Sequence, residues 1–71
     1  MNKTTKREIE EQAIIAFSSA SDNGYISSYS SASEIEDNAY EILEFMPDYD
    51  VADLTDEEYD YAVDILLSQV A

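Results

Sequence analysis

The sequence predicts an all-α fold, a small three-helix bundle formed by a single acidic domain over residues 1–71. Three observations predict it. Apolar residues recur at helical spacing in three stretches, and near the start of each a Ser or Thr stands three residues before a Glu, the spacing of a capping box. The chain also carries only one Gly and one Pro, so little interrupts those stretches. A chain of 71 residues forms one domain at most. It buries about 60% of the surface that its unfolded form exposes, so the core is small and stability marginal.

The first helix is expected over about residues 5–20. Thr5 and Glu8 fit a capping box, and Ile9, Ala13, Ala16, Phe17 and Ala20 follow on one face. Ile14 and Ile15 spread apolar surface beyond that stripe, which implies burial on two sides or a homodimer contact through this helix. Lys6 and Arg7 lie unfavourably near the positive end of the helix dipole, offset by nearby glutamates. Asp22-Asn23-Gly24 supplies the stop, with Gly24 or Asn23 able to take the left-handed conformation. Residues 25–32 are rich in Ser and Tyr and read as a loop or one short helical turn. A hairpin pairing Ala13–Phe17 across an Asn23-Gly24 turn is the rival, but alternation is absent on either side.

The middle helix is expected over residues 33–46, opened by Ser33 and Glu36 and stopped by Pro47. Its apolar face is Ile35, Ala39, Ile42, Leu43 and Met46. An acidic connector follows. The last helix is expected over residues 55–69, with Thr55 and Glu58 as its box and Leu54 stapled onto Tyr59. It buries Tyr59, Ala62, Val63, Leu66 and Val70, with Leu67 beside them.

Charge is the dominant compositional feature. Seventeen acids against three bases give a formal charge of −14, and Lys3, Lys6 and Arg7 are the only bases. Such a charge favours solubility, opposes the compact state by self-repulsion, and repels nucleic acid and anionic lipid. High net charge belongs to the signature of disorder, but 45% hydrophobic residues at periodic positions favour an ordered domain. With neither Cys nor His, thiol chemistry and the common zinc ligands are missing together. The expectation is a protein that is not an enzyme and has no catalytic residues, cofactor or metal. Asp48 to Tyr59 superficially suggests a calcium loop, yet Asp53 stands where Gly is needed and Tyr59 where Glu is needed. No apolar run approaches the roughly 20 residues of a membrane span. The basic start leads into glutamates rather than an apolar signal region, which points to the cytoplasm.

Helical projection places the acids away from the apolar faces. Asp37, Glu41 and Glu44 share one face of the middle helix, and Glu57, Asp60 and Asp64 one face of the last. Asp48, Asp50, Asp53 and Asp56 line the connector between them, while Tyr40 and Tyr61 flank the acids as candidate rings for stacking on guanidinium groups. Like charges at i,i+4 are destabilising, and a surface selected for solubility alone normally intersperses Lys. Three acids over seven helical residues span about 10.5 Å at about 1.5 Å per residue. One DNA strand carries a charge about every 3.4 Å, so imitating it requires both helices to present their acids together. The expected partner is a basic, Lys/Arg-rich nucleic-acid-binding protein or complex, with no direct nucleic acid and no membrane.

In size, acidity and lack of cysteine, the chain resembles the small acidic inhibitors of phages and mobile elements, among them anti-CRISPR and anti-restriction proteins of the DNA-mimic type. The resemblance is one of overall character over nearly the whole chain. It implies a stoichiometric inhibitor in the host cytoplasm that occupies the basic channel of a defence complex. A helical interaction module that binds through Ile14, Ile15, Tyr61 and Ile65, its acids serving solubility, is the alternative from a different class.

Overall fold

In the computed structural model, which describes residues 1–27 and 29–70, the chain forms four α-helices and one 3₁₀ turn. These are α1 (Lys3–Asp22), α2 (Ala32–Asp37), α3 (Ala39–Leu43), the 3₁₀ turn (Val51–Asp53) and α4 (Asp56–Ser68). The fold is all-α, and no strand occurs among the described residues, so the hairpin reading is set aside. A helix of this length is about 30 Å long. The molecule measures 32 Å along its longest axis, so α1 is its spine.

Local chemistry explains where the elements depart from expectation. α1 starts at Lys3 because the Asn2 side chain, not Thr5, is the cap: its Oδ1 accepts from the Thr5 N–H at 2.8 Å. At the other end Tyr25 N–H bonds to Ala20 O at 2.9 Å and Gly24 N–H to Ser21 O at 3.0 Å. With Gly24 at φ +80°, this is the Schellman arrangement that the Asn-Gly pair allows.

The single middle helix expected over 33–46 is two short helices. Asn38 sits at φ −112°, ψ 12°, and its side-chain amide donates to Glu34 O at 2.8 Å, the same carbonyl that accepts its own backbone N–H. This local competition for a helix carbonyl breaks the regular geometry. The capping box belongs to Ser31 and Glu34 rather than Ser33 and Glu36, two residues earlier, and α2 begins at Ala32. α3 ends at Leu43, before Pro47. Its exit tightens into i→i+3 bonds, Phe45 N–H to Ile42 O and Met46 N–H to Leu43 O, and Pro47 ends that tightened turn. α4 fits its expectation closely: Thr55 Oγ1 accepts from Glu58 N–H at 3.1 Å, and Glu58 accepts from Thr55 N–H at 2.9 Å.

Burial follows the predicted stripes. Ile9, Ala13, Ala16 and Ala20 of α1 meet Ile35, Ala39, Ile42, Leu43, Met46, Ala62 and Leu66, while Ile26 and Val51 close the core from the loops. Phe17, Tyr59, Val63, Leu67 and Val70 are half-buried around it. α1 packs most extensively against α4, and Ala13, Ala16 and Ala20 of α1 are fully buried in the core. Met1 and Lys6 lie beside Glu57 and Tyr61, so the first turns of α1 and α4 share one end of the molecule. Ile14 and Ile15 remain 41% and 43% exposed, so the second apolar side of α1 is not covered within this chain.

Small residues in this core set a size limit that stability measurements can read. Leu66→Ala should cost about 2–5 kcal/mol in urea unfolding. Ala16→Leu should cost about 1–3 kcal/mol by overpacking. Ile14→Ser should stay within about 0.5 kcal/mol, because its side chain has little to lose.

Candidate functional site

Sixteen of the seventeen acids are exposed and Glu58 is half-buried, so nearly all carboxylates face solvent. Two regions of them stand out, one around the connector and one near α3 and α4.

The first region surrounds the connector and includes α1, which the sequence reading left out. Gln12, the one buried polar side chain among the described residues, donates to Asp48 Oδ2 at 3.2 Å and accepts from Asp48 N–H at 2.9 Å. That reciprocal pair clamps the connector against α1. Tyr49 then donates its hydroxyl to Glu8, and Asp50 caps the 3₁₀ turn by accepting from Ala52 N–H at 3.0 Å. A hollow of about 370 Å³ is lined by Asp48, Asp50, Asp53 and Glu58 with Thr5, Ile9, Tyr49 and Leu54. An adjoining one of about 300 Å³ is lined by Glu8, Glu11, Gln12, Asp48 and Tyr49. The missed members were legible in one respect: Glu8, Glu11 and Gln12 stand at i, i+3 and i+4, on one face of α1. Which segment would cover that face was not.

The second region lies where α3 meets α4. Tyr59 is held above its ordinary phenol pKa of 10, first by burial and then by the negative charges of Glu41 and Asp60 and by Tyr40. Glu44 caps the end of α3 and lines a third hollow, of about 210 Å³, with Tyr25, Glu41 and Phe45. Asp37 sits across the Asn38 break from Glu41 and Glu44, so the three do not form one straight stripe.

Other predicted residues have roles within the chain. Glu57 accepts from the Met1 amino group at 3.0 Å. Tyr61, expected as a ring for a partner, is half-buried against α1: its hydroxyl donates to Glu10 at 3.3 Å and Lys6 lies 5.6 Å from its ring centre. Asp56, Asp60 and Asp64 are exposed along α4, and Asp56 with Glu57 and Glu58 complements the positive end of its dipole.

Chemically, such a surface accepts hydrogen bonds and attracts cations. Among the described residues no group of three or more His, Cys, Asp or Glu is gathered closely enough to hold a metal ion. No helix there is long and apolar enough to cross a membrane.

Two outcomes test this geometry. Gln12→Leu strands the Asp48 N–H and should cost about 1–3 kcal/mol in thermal or urea unfolding. The second concerns alkali. Tyr49 is raised above 10 mainly by its hydrogen bond to Glu8, then by burial and the charges of Glu8, Glu58 and Asp48, and Tyr61 is raised by burial and then Glu10. Because the folded phenols ionise later than the unfolded ones, their contribution is intact below about pH 10 and is lost as pH rises through their raised pKa values. Melting temperature should fall in that window, and Tyr49→Phe should flatten the fall.

No protein-family model, no curated protein and no solved structure matches the chain, so the functional reading is carried by the surface itself.

Proposed function

We propose that this protein is a stoichiometric, DNA-mimicking inhibitor whose acidic surface occupies the basic nucleic-acid-binding site of a host defence protein, of anti-CRISPR or anti-restriction type. The observation that carries this reading is the unneutralised placement of charge. Acids cover both the connector and the α3–α4 region, and no base follows Arg7 in the sequence.

Helix ends sharpen the point. No helix has a basic residue in its last turn, and Glu44 puts a carboxylate at the negative end of α3. The first forgoes a favourable interaction with the dipole, and the second opposes it slightly. A chain selected for stability and solubility gains from Lys at such positions; a chain selected to meet a basic surface does not. The connector region adds density to the mimicry, because Glu8 and Glu11 join Asp48, Asp50, Asp53 and Glu58 there.

A second reading is favoured by one observation, the exposure of Ile14 and Ile15. On it the protein is a helical interaction module, including a homodimer through α1, and the acids only keep it in solution.

Charge reversal separates the two. Glu41→Lys, Asp60→Lys and Asp64→Lys combined should abolish the block of DNA binding by a purified CRISPR effector or restriction enzyme, read by gel shift at equimolar inhibitor. The unmodified protein should lose potency steeply as salt rises, since its contacts are ionic and exposed. Glu44→Lys should weaken inhibition while raising stability by about 0.3 kcal/mol, which separates lost binding from lost folding. Inhibition indifferent to salt and to all four reversals, yet abolished by Ile14→Ser with Ile15→Ser, would establish the second reading instead.

A further inference from the structure

We propose that the hollow bounded by Tyr25, Phe45, Glu41 and Glu44 is a socket for one arginine side chain of the protein partner. This rests on the reading that the partner presents a basic surface, and it names the side chain that the α3 region takes.

The socket has two kinds of wall. Tyr25 is fixed by the turn that ends α1, through its backbone bond to Ala20 O, yet its side chain is 60% exposed. Its ring meets that of Phe45 edge-on, with centroids 5.5 Å apart and planes at 69°. Phe45 is half-buried and packs on the core, which anchors the pair. Glu41 of α3 and its capping residue Glu44 complete the lining, three positions apart, a helical spacing that sets their Cβ atoms about 5–6 Å apart. Both are exposed, and neither makes an ion pair or side-chain hydrogen bond among the described residues. In the connector hollows, by contrast, Asp48, Asp50 and Glu8 already accept hydrogen bonds from within the chain.

Unengaged carboxylates beside an exposed aromatic face discriminate between cations. A guanidinium is planar, so it stacks on a ring while its edge donates to carboxylates. An ammonium is compact and strongly hydrated, and satisfies the carboxylates without the stacking. The chain already uses a cation against a ring once, where Lys6 lies over Tyr61. At the Tyr25 socket the sequence supplies no such cation, because all three bases lie on the first turns of α1.

The test is a titration of isotope-labelled protein with blocked Gly-Arg-Gly and Gly-Lys-Gly peptides, followed by amide chemical shifts. The arginine peptide should move Tyr25, Glu41, Glu44 and Phe45 saturably, and the lysine peptide should bind several-fold more weakly. Tyr25→Leu should weaken arginine binding about three- to tenfold, whereas Tyr25→Phe keeps it. Glu41→Gln with Glu44→Gln should remove the site, with circular dichroism confirming the fold of each variant. Equal binding of the two peptides overturns the proposal, as do shifts spread evenly over the α4 acids or an unaffected Tyr25→Leu. Because no nucleic-acid-binding protein enters this titration, its failure and that of the gel-shift competition are separate results. Arginine selectivity without competition rejects the inhibitor reading alone, and competition without selectivity rejects the socket alone.

Discussion

The reciprocal pair between the Gln12 amide and Asp48 is the interaction on which the surface arrangement depends. It is part-buried, with Gln12 itself buried, long-range in sequence and satisfied on both sides, so it fixes the connector without leaving the Gln12 amide unpaired. Once Asp48 is placed, Tyr49 reaches Glu8, Val51 enters the core and Asp50 folds the 3₁₀ turn that leads to the Thr55 cap of α4. A neutral amide suits this position well. A carboxylate there would add another like charge beside Asp48, and an apolar side chain would leave the Asp48 N–H without its acceptor.

The charge distribution works against the fold in a graded way. Acids at the first turn of α4 favour its dipole, whereas Glu44 at the end of α3 opposes it. None of the acids is fully buried, which avoids the large desolvation cost of an unpaired charge and leaves mainly screened repulsion between exposed groups. The core that bears this load is modest, with five alanines among its thirteen buried apolar residues.

Much of the fold was legible because apolar periodicity is a direct consequence of helix geometry. Ile35, Ala39, Ile42, Leu43 and Met46 are all buried as their spacing indicates, and the Thr55–Glu58 box forms as read. Capping was less legible where several candidates stood together. Asn2 and Ser31 lie just ahead of Thr5 and Ser33, and only tertiary fit decides among neighbours that can all cap. The break at Asn38 was hidden for a similar reason, since an Asn side chain inside an apolar stripe is tolerated or disruptive depending on which carbonyl it finds. The acidic site was half legible. Which residues are exposed follows from one helix at a time, but the company of Glu8 and Glu11 with the connector, and of Tyr61 with Lys6 and Glu10, depends on packing between distant segments.

The seam between α1 and α4 carries a kinetic consequence. It joins positions as far apart as Glu10 and Tyr61, 51 residues along the chain, while the short helices between them make more local contacts. Closing it carries the loop entropy of nearly the whole chain before Ala62 and Leu66 can be buried. Folding is therefore expected to be cooperative despite the helical content, with the seam as the late, all-or-none step. Opening it would separate α4 from α1 and part of the connector's acids from Glu58 in a single event, so the charged surface persists only as long as the whole molecule does.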